Sequence, residues 1–266
     1  MKKEEYMDNF SRKTHWNSRA TWNDLAMVPS SWAVSMVRQV LREQKLGLKD
    51  SIIYVNKLAQ QENLKIVNRV VNNIIGSLSN LGDKEIESLA IRVLEVSTGV
   101  GSLTEELLPQ VVEKGWRYTG IDCAPQMVKK TRDRILKKNK TNNQLWSLSV
   151  GLATHIFDLI DVPFHVITWG KVGLHLVGKM SNGLSEWEEG INQIKKALAI
   201  KGIFVLYEAL LDDNPQYASK SKSKKWTQFR TFHDYVKQLY PLELIKVEKI
   251  HFCNEVYTIA IFKRPS

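Results

Sequence analysis

The chain has 266 residues, 43% of them apolar and 25% charged, enough for one generous domain with a sizeable core and typical of a soluble protein. No apolar run approaches the roughly 18–20 residues that cross a bilayer, and none follows the charged start MKKEEYMDNFSRK, so a cytoplasmic protein with neither membrane span nor secretory leader is expected. Lys and Arg number 38 against 28 Asp and Glu, a net +10 that favours acidic partners, while Cys123 and Cys253 offer neither metal-ligand spacing nor a disulfide framework, so no metal is expected.

Residues 1–28 carry Tyr6, Phe10, Trp16 and Trp22 without a clean period and read as an arm. Pro29-Ser30-Ser31 offers a helix start, and WAVSMVRQVLREQ then has apolar residues at helical spacing. The stretch 48–82 continues in that manner and reads as two helices, because Gly76 and Leu81-Gly82-Asp83 weaken or end the pattern. Residues 1–85 are therefore expected as a helical arm and cap, and 86–266 as a separate core.

From Ile91 onward, short β-branched runs alternate with helical segments. IRVLEVS is followed by LTEELLPQVVEKG, RYTGID by PQMVKKTRDRILKKN, and FHVITWG by EWEEGINQIKKALAIKG and then IFVLYEA. Such alternation predicts βαβ units: an α/β, Rossmann-like, doubly wound and mostly parallel sheet. A basic, helix-prone insertion at about 211–240 leads to ELIKVEKIHF and EVYTIAIFKR, joined at Cys253-Asn254, an antiparallel pair at the sheet edge.

In an open parallel sheet, ligands bind beyond the carboxyl ends of the strands. The first strand ends in the turn Ser97-Thr98-Gly99-Val100-Gly101, where two glycines let a ligand approach the bare backbone. Glu95, near that strand's end, would repel a pyrophosphate but suits an amino group, and Asp122, ending the next strand, suits two ribose hydroxyls. A nucleoside-type cofactor carrying an amino acid fits both.

The turn E-V-S-T-G-V-G-S resembles motif I of class I S-adenosylmethionine-dependent methyltransferases, E/D-x-G-x-G-x-G, with Ser97 in place of the first glycine. The resemblance extends in order over about 91–210: YTGIDCAP is similar to the ribose-binding segment, FHVITWGKVGLHL to the fourth-strand motif, and IKKALAIKGIFVLYE to the "LLKPGG-strand-E" segment. His165 stands where the family has an aspartate, and Lys201-Gly202 where it has Pro-Gly-Gly. A seven-stranded sheet with an antiparallel last strand, S-adenosyl-L-methionine as cofactor and methyl transfer as activity are what the resemblance implies. It also implies Glu95, Ser97, Gly99, Gly101, Asp122, Cys123, Ser149 and Trp169 as cofactor-binding residues, Ser149 falling near the adenine-binding acid. Trp169 and Lys171 would flank the transferred methyl.

VGLH175 and VLYE208 are similar to the histidine and strand-ending glutamate of carbon-methylating domains in polyketide and peptide synthases. Methylation at carbon needs a base, for which a neutral imidazole backed by a carboxylate is suited, so His175 and Glu208 are the candidate catalytic pair. The acceptor implied is a small molecule or a chain on an acidic acyl or peptidyl carrier protein, as in natural-product biosynthesis. Two alternatives remain open: a nucleic-acid methyltransferase whose lysine clusters at 129–140 and 219–225 track phosphate, and a catalytically inactive partner with the same fold.

Overall fold

The computed structural model describes residues 30–79, 91–138, 144–156, 162–171, 176, 178–218 and 228–266. Among the described residues, two helices precede the sheet, α1 (Ser30–Glu43) and α2 (Leu48–Ser79). The stretch read as two helices is one helix of 32 residues, running through Gly76. Its buried stripe explains the difference: Val55, Ala59, Ile66, Val70, Ile74 and Leu78 are all at most 2% exposed. Each such aliphatic side chain contributes ~1.5–3 kcal/mol by burial, against the roughly 1 kcal/mol that an interior glycine costs.

Seven strands follow: β1 (Arg92–Val96), β2 (Arg117–Asp122), β3 (Trp146–Val150), β4 (Phe164–Gly170), β5 (Leu198–Ala209), β6 (Glu243–Phe252) and β7 (Glu255–Lys263). They form one sheet in the order β3-β2-β1-β4-β5-β7-β6. The first five are mutually parallel, while β7 runs antiparallel to both β5 and β6. The chain winds outward from β1 to β3, then returns to β4 on the other flank of β1. The order thus reverses between β1 and β4, and the crevice at their carboxyl ends is where such a sheet takes a ligand.

Helices α3 (Ser102–Glu113), α4 (Pro125–Lys138), α5 (Glu186–Ala197) and α6 (Phe232–Leu239) cover the sheet. Strand alternation divides the core in two. Val93, Tyr118, Val166, Val205 and Tyr207 pack in one cluster with α2 and α3; Leu94, Val96, Ile167, Trp169 and Leu206 pack in the other with α5 and α6. Helix α5 starts at a capping box between Ser185 and Glu188, but ends at Ala197, earlier than the pattern through Gly202 predicts. Leu198 already has extended geometry, is buried, and pairs with Phe164, so it starts β5. Among the described residues no helix is long and apolar enough to cross a membrane.

Candidate active site

The turn between β1 and α3 is held in a left-handed course, with φ of 66° at Ser97, 55° at Gly99 and 85° at Gly101. Strand β2 fastens it. The N–H groups of Ser97 and Thr98 donate to the Ile121 carbonyl at 2.8 and 3.1 Å. One Asp122 carboxylate oxygen accepts the Gly99 N–H at 2.9 Å and the Ser97 hydroxyl at 3.5 Å; the other accepts the Ala124 N–H at 2.9 Å. From α4, the Thr131 hydroxyl donates to the Gly99 carbonyl at 2.9 Å. Gly101 lies tight against α4, since a Cβ there would lie 3.0 Å from Thr131 Cγ2 and 3.1 Å from its Cα. Burial outweighs the hydrogen bonds to Asp122 and raises its pKa to about 6.

Glu95 lies beneath this turn, 1% exposed. Its Oε2 accepts hydrogen bonds from the Thr104 hydroxyl at 3.0 Å and from the Tyr118 hydroxyl. Its Oε1 is buried without a hydrogen-bond partner, as is Oγ1 of Thr98. Desolvation pushes the Glu95 pKa up to about 8, so the acid is mostly neutral at pH 7. Both residues line a cavity with Ser97 and Ser102. Helix α2 roofs it with Asn63, Ile66 and Val67, and Lys171 and Tyr207 close one side.

The remaining predicted residues fall in different places. Cys123 is half-buried beside Asp122. Ser149 is exposed inside β3, in register with Ile121; the residues that follow the strand are Gly151 and Leu152, not an acid. Trp169 is fully buried in the cluster on the face away from Glu95, its ring against Gly190 of α5, so it acts as core and has no surface in the cavity. His175 lies outside the described residues. Glu208 is buried at the carboxyl end of β5, within electrostatic reach of Arg230, Tyr235 and Lys171. His165 sits at the opposite end of the sheet, where its Nδ1 accepts the Arg92 N–H at 3.1 Å.

Three contributors escaped the sequence reading. Tyr118 and Thr104 support Glu95, and Arg230 stacks 4.5 Å above the Trp187 ring while donating to the Leu176 carbonyl at 3.1 Å. Strand pairing of β1 with β2 was the available signal for Tyr118, which stands in register with Val93 on the face Glu95 shares. Nothing local marks the other two.

The basic run of α4 is largely engaged. Arg134 pairs with Glu105, Lys138 with Glu105 at 3.3 Å and Glu106 at 2.8 Å, and Lys129 with Asp133 at 2.9 Å. The second run, 219–225, lies outside the described residues.

Residues 94–204 match a family model described as a methyltransferase domain. None of the curated proteins matches the sequence. Among solved structures, the fold is similar to the N-methyltransferase NodS from Bradyrhizobium japonicum WM9 in complex with S-adenosyl-L-homocysteine, at 17% identity and TM-score 0.53, over 77% of this chain and 87% of that one. It is similar to magnesium protoporphyrin IX methyltransferase from Synechocystis PCC 6803 with the same ligand, at 13% identity and TM-score 0.57, over 87% and 93%. A third likeness, at 15% identity and TM-score 0.51, is to an O-methyltransferase family 2 protein from Planctomyces limnophilus DSM 3776 in complex with apigenin, over 65% of this chain and 50% of that one. The sheet order and the glycine turn agree with the methyltransferase-domain match at 94–204. The reaction class of such a domain is methyl transfer, with S-adenosyl-L-methionine as the donor.

Proposed function

We propose that the domain methylates a small-molecule acceptor, free or carrier-bound, inside a roofed site. The observation that carries this reading is the position of α2, whose Asn63, Ile66 and Val67 close the cavity beside the β1 turn where a duplex would need an open basic groove. The engagement of α4 cations by Glu105, Glu106 and Asp133 argues in the same direction. Small-molecule acceptors or ligands also appear among the structural neighbours, in magnesium protoporphyrin IX and apigenin.

The residues present suit the cofactor. The unpartnered Oε1 of Glu95 is an acceptor awaiting a cationic donor such as an ammonium, and the Asp122 oxygens retain lone pairs for ribose hydroxyls. Ser97, Gly99 and Gly101 supply backbone that can be approached closely. When bound, the cofactor supplies an electrophilic methyl on a sulfonium centre. Tyr207, Phe252 and Tyr257 exclude water near the ends of β4 and β5, so that alignment does most of the catalytic work. Glu208 would fix and charge-stabilise His175 as the base where the acceptor is carbon.

Mass spectrometry of candidate acceptors incubated with enzyme and S-adenosylmethionine tests the reading. A gain of one methyl on a small molecule or carrier-bound chain is expected. Methylation of RNA or DNA alone, lost steeply with salt, would replace it with the nucleic-acid alternative. Full activity in His175→Ala would remove the base assignment while leaving the rest standing.

A further inference from the structure

Strand β6 ends the sheet, paired with β7 on one side and with no strand of the described residues on the other. The two-residue turn at Cys253-Asn254 makes Phe252 and Glu255 a hydrogen-bonded pair, so such pairs recur at Ile250, Glu248 and Lys246. The N–H and C=O groups of Val247, Lys249 and His251 therefore point away from β7. A bare edge of this kind pairs with another chain unless its side chains forbid it. Here apolar side chains accompany the charges: Ile245 is 57% exposed, Val247 41%, and Tyr240, shortly before the strand, 76%.

The charges have a definite place. Glu248 accepts from the Arg69 side chain and from Nδ2 of Asn73 at 3.3 Å, both on α2. Lys246 Nζ donates to Oδ1 of Asn73 at 2.6 Å and lies 3.4 Å from the Glu248 carboxylate. The two are thus held on the α2 side of the strand, where they wall a groove with Arg69, Asn72 and Asn73. Their order is self-complementary. A second β6 laid antiparallel about a two-fold axis through Val247 brings Lys246 of each copy opposite Glu248 of the other, and Ile245 opposite the stem of Lys249. Axes through Lys246, Glu248 or Lys249 would each oppose a charge to its own copy, which destabilises a strand pair. Val247, with its backbone groups turned outward, also has the geometry that the centre of such a pair needs.

We propose that β6 is a homodimer interface, a second copy of this chain adding its β6 antiparallel in the register centred on Val247. The seven-stranded sheet then continues across the axis, with α2 of both copies on one face. The antiparallel crossing turns the carboxyl ends of β1 and β4 in opposite directions, so the two crevices open at opposite ends and neither blocks the other. Edge lysines ward off arbitrary strands, whereas their alternation with Glu248 admits this one. The interface holds whichever acceptor is methylated.

Sedimentation velocity of the full chain at micromolar concentrations tests the register. Wild type is expected to sediment as a dimer. Lys246→Glu opposes carboxylates to carboxylates and Glu248→Lys opposes amines to amines, so each alone is expected to weaken self-association by roughly tenfold or more. An equimolar mixture of these two variants restores both oppositely charged pairs and is expected to dimerise again. Because Lys246 and Glu248 also bond Asn73, Val247→Lys supplies a variant outside that network. It sets two amines at the axis and is expected to be monomeric with the melting temperature of the isolated chain unchanged. The proposal is overturned if wild type stays monomeric, which would leave the edge to a different partner. It is equally overturned if Val247→Lys remains dimeric, which would put the interface elsewhere, or if the folded single variants stay apart when mixed.

Discussion

The Asp122 carboxylate accepts the Gly99 N–H at 2.9 Å, so the tip of β2 holds the shape of the turn that leaves β1. The same carboxylate takes the Ala124 N–H, so it also shapes its own exit from the strand. One side chain thus organises two backbone segments at the carboxyl end of β2. Asp122→Ala is expected to lower stability by ~2 kcal/mol, as hydrogen bonds to a buried carboxylate are lost. It should also weaken S-adenosylhomocysteine at least tenfold, about 1.4 kcal/mol. Asp122→Asn, whose amide oxygen can still accept from Gly99, should recover more stability than affinity. Urea denaturation beside calorimetry checks the split.

Gly101→Ala tests the close approach of α4 to the turn. The new methyl would meet Thr131 at 3.0 Å with φ at 85°, so both sterics and backbone oppose it. A destabilisation of ~1–3 kcal/mol is expected, with reduced donor affinity. A variant as stable as wild type would mean that the α3 entrance is looser than the geometry implies.

The pH dependence of stability follows from two raised carboxyl pKa values. Glu95 moves from 4.5 to about 8 and Asp122 from 3.8 to about 6. Between each pair of values the folded chain holds a proton that the unfolded chain has lost, so stability falls as pH rises through those windows. Below them no penalty is present; above about 8 both are complete. Glu95→Gln is expected to match wild type near pH 4 and to exceed it by ~1 kcal/mol or more at pH 9, the order of one pKa unit. Melting temperatures across pH 4–9 in both proteins read this directly.

Donor binding should also release a proton. At pH 7 free Glu95 holds its proton, and an ammonium against Oε1 requires one proton to leave the pair. Calorimetric enthalpies for S-adenosylhomocysteine in phosphate and in Tris should differ by about one buffer ionisation. In Glu95→Gln the difference should vanish.

Much of this site was legible because its logic is local. VLEV followed by two near-adjacent glycines marks a buried strand entering a tight turn, and the acid at the end of the next strand falls beside it by sheet pairing alone. The parallel core followed from the alternation of strands and helices, and the edge hairpin from a two-residue turn. What escaped depends on contacts distant in sequence. Trp169 has the spacing of a strand-end site residue, yet strand alternation turns it toward α5, and only packing reveals that. Helix α2 carries no motif, yet its Asn63, Ile66 and Val67 line the cavity beside the β1 turn. Gly76 misled for a different reason, since local propensity yields to a long buried face.

The most direct measurement is a crystal structure of the full chain with S-adenosylhomocysteine. The adenosyl group is expected at the β1–β4 crevice, with ribose hydroxyls within ~3 Å of the Asp122 carboxylate and the ammonium beside Glu95. Density for the ligand anywhere else, or a crevice left unfilled at saturating ligand, would contradict the account.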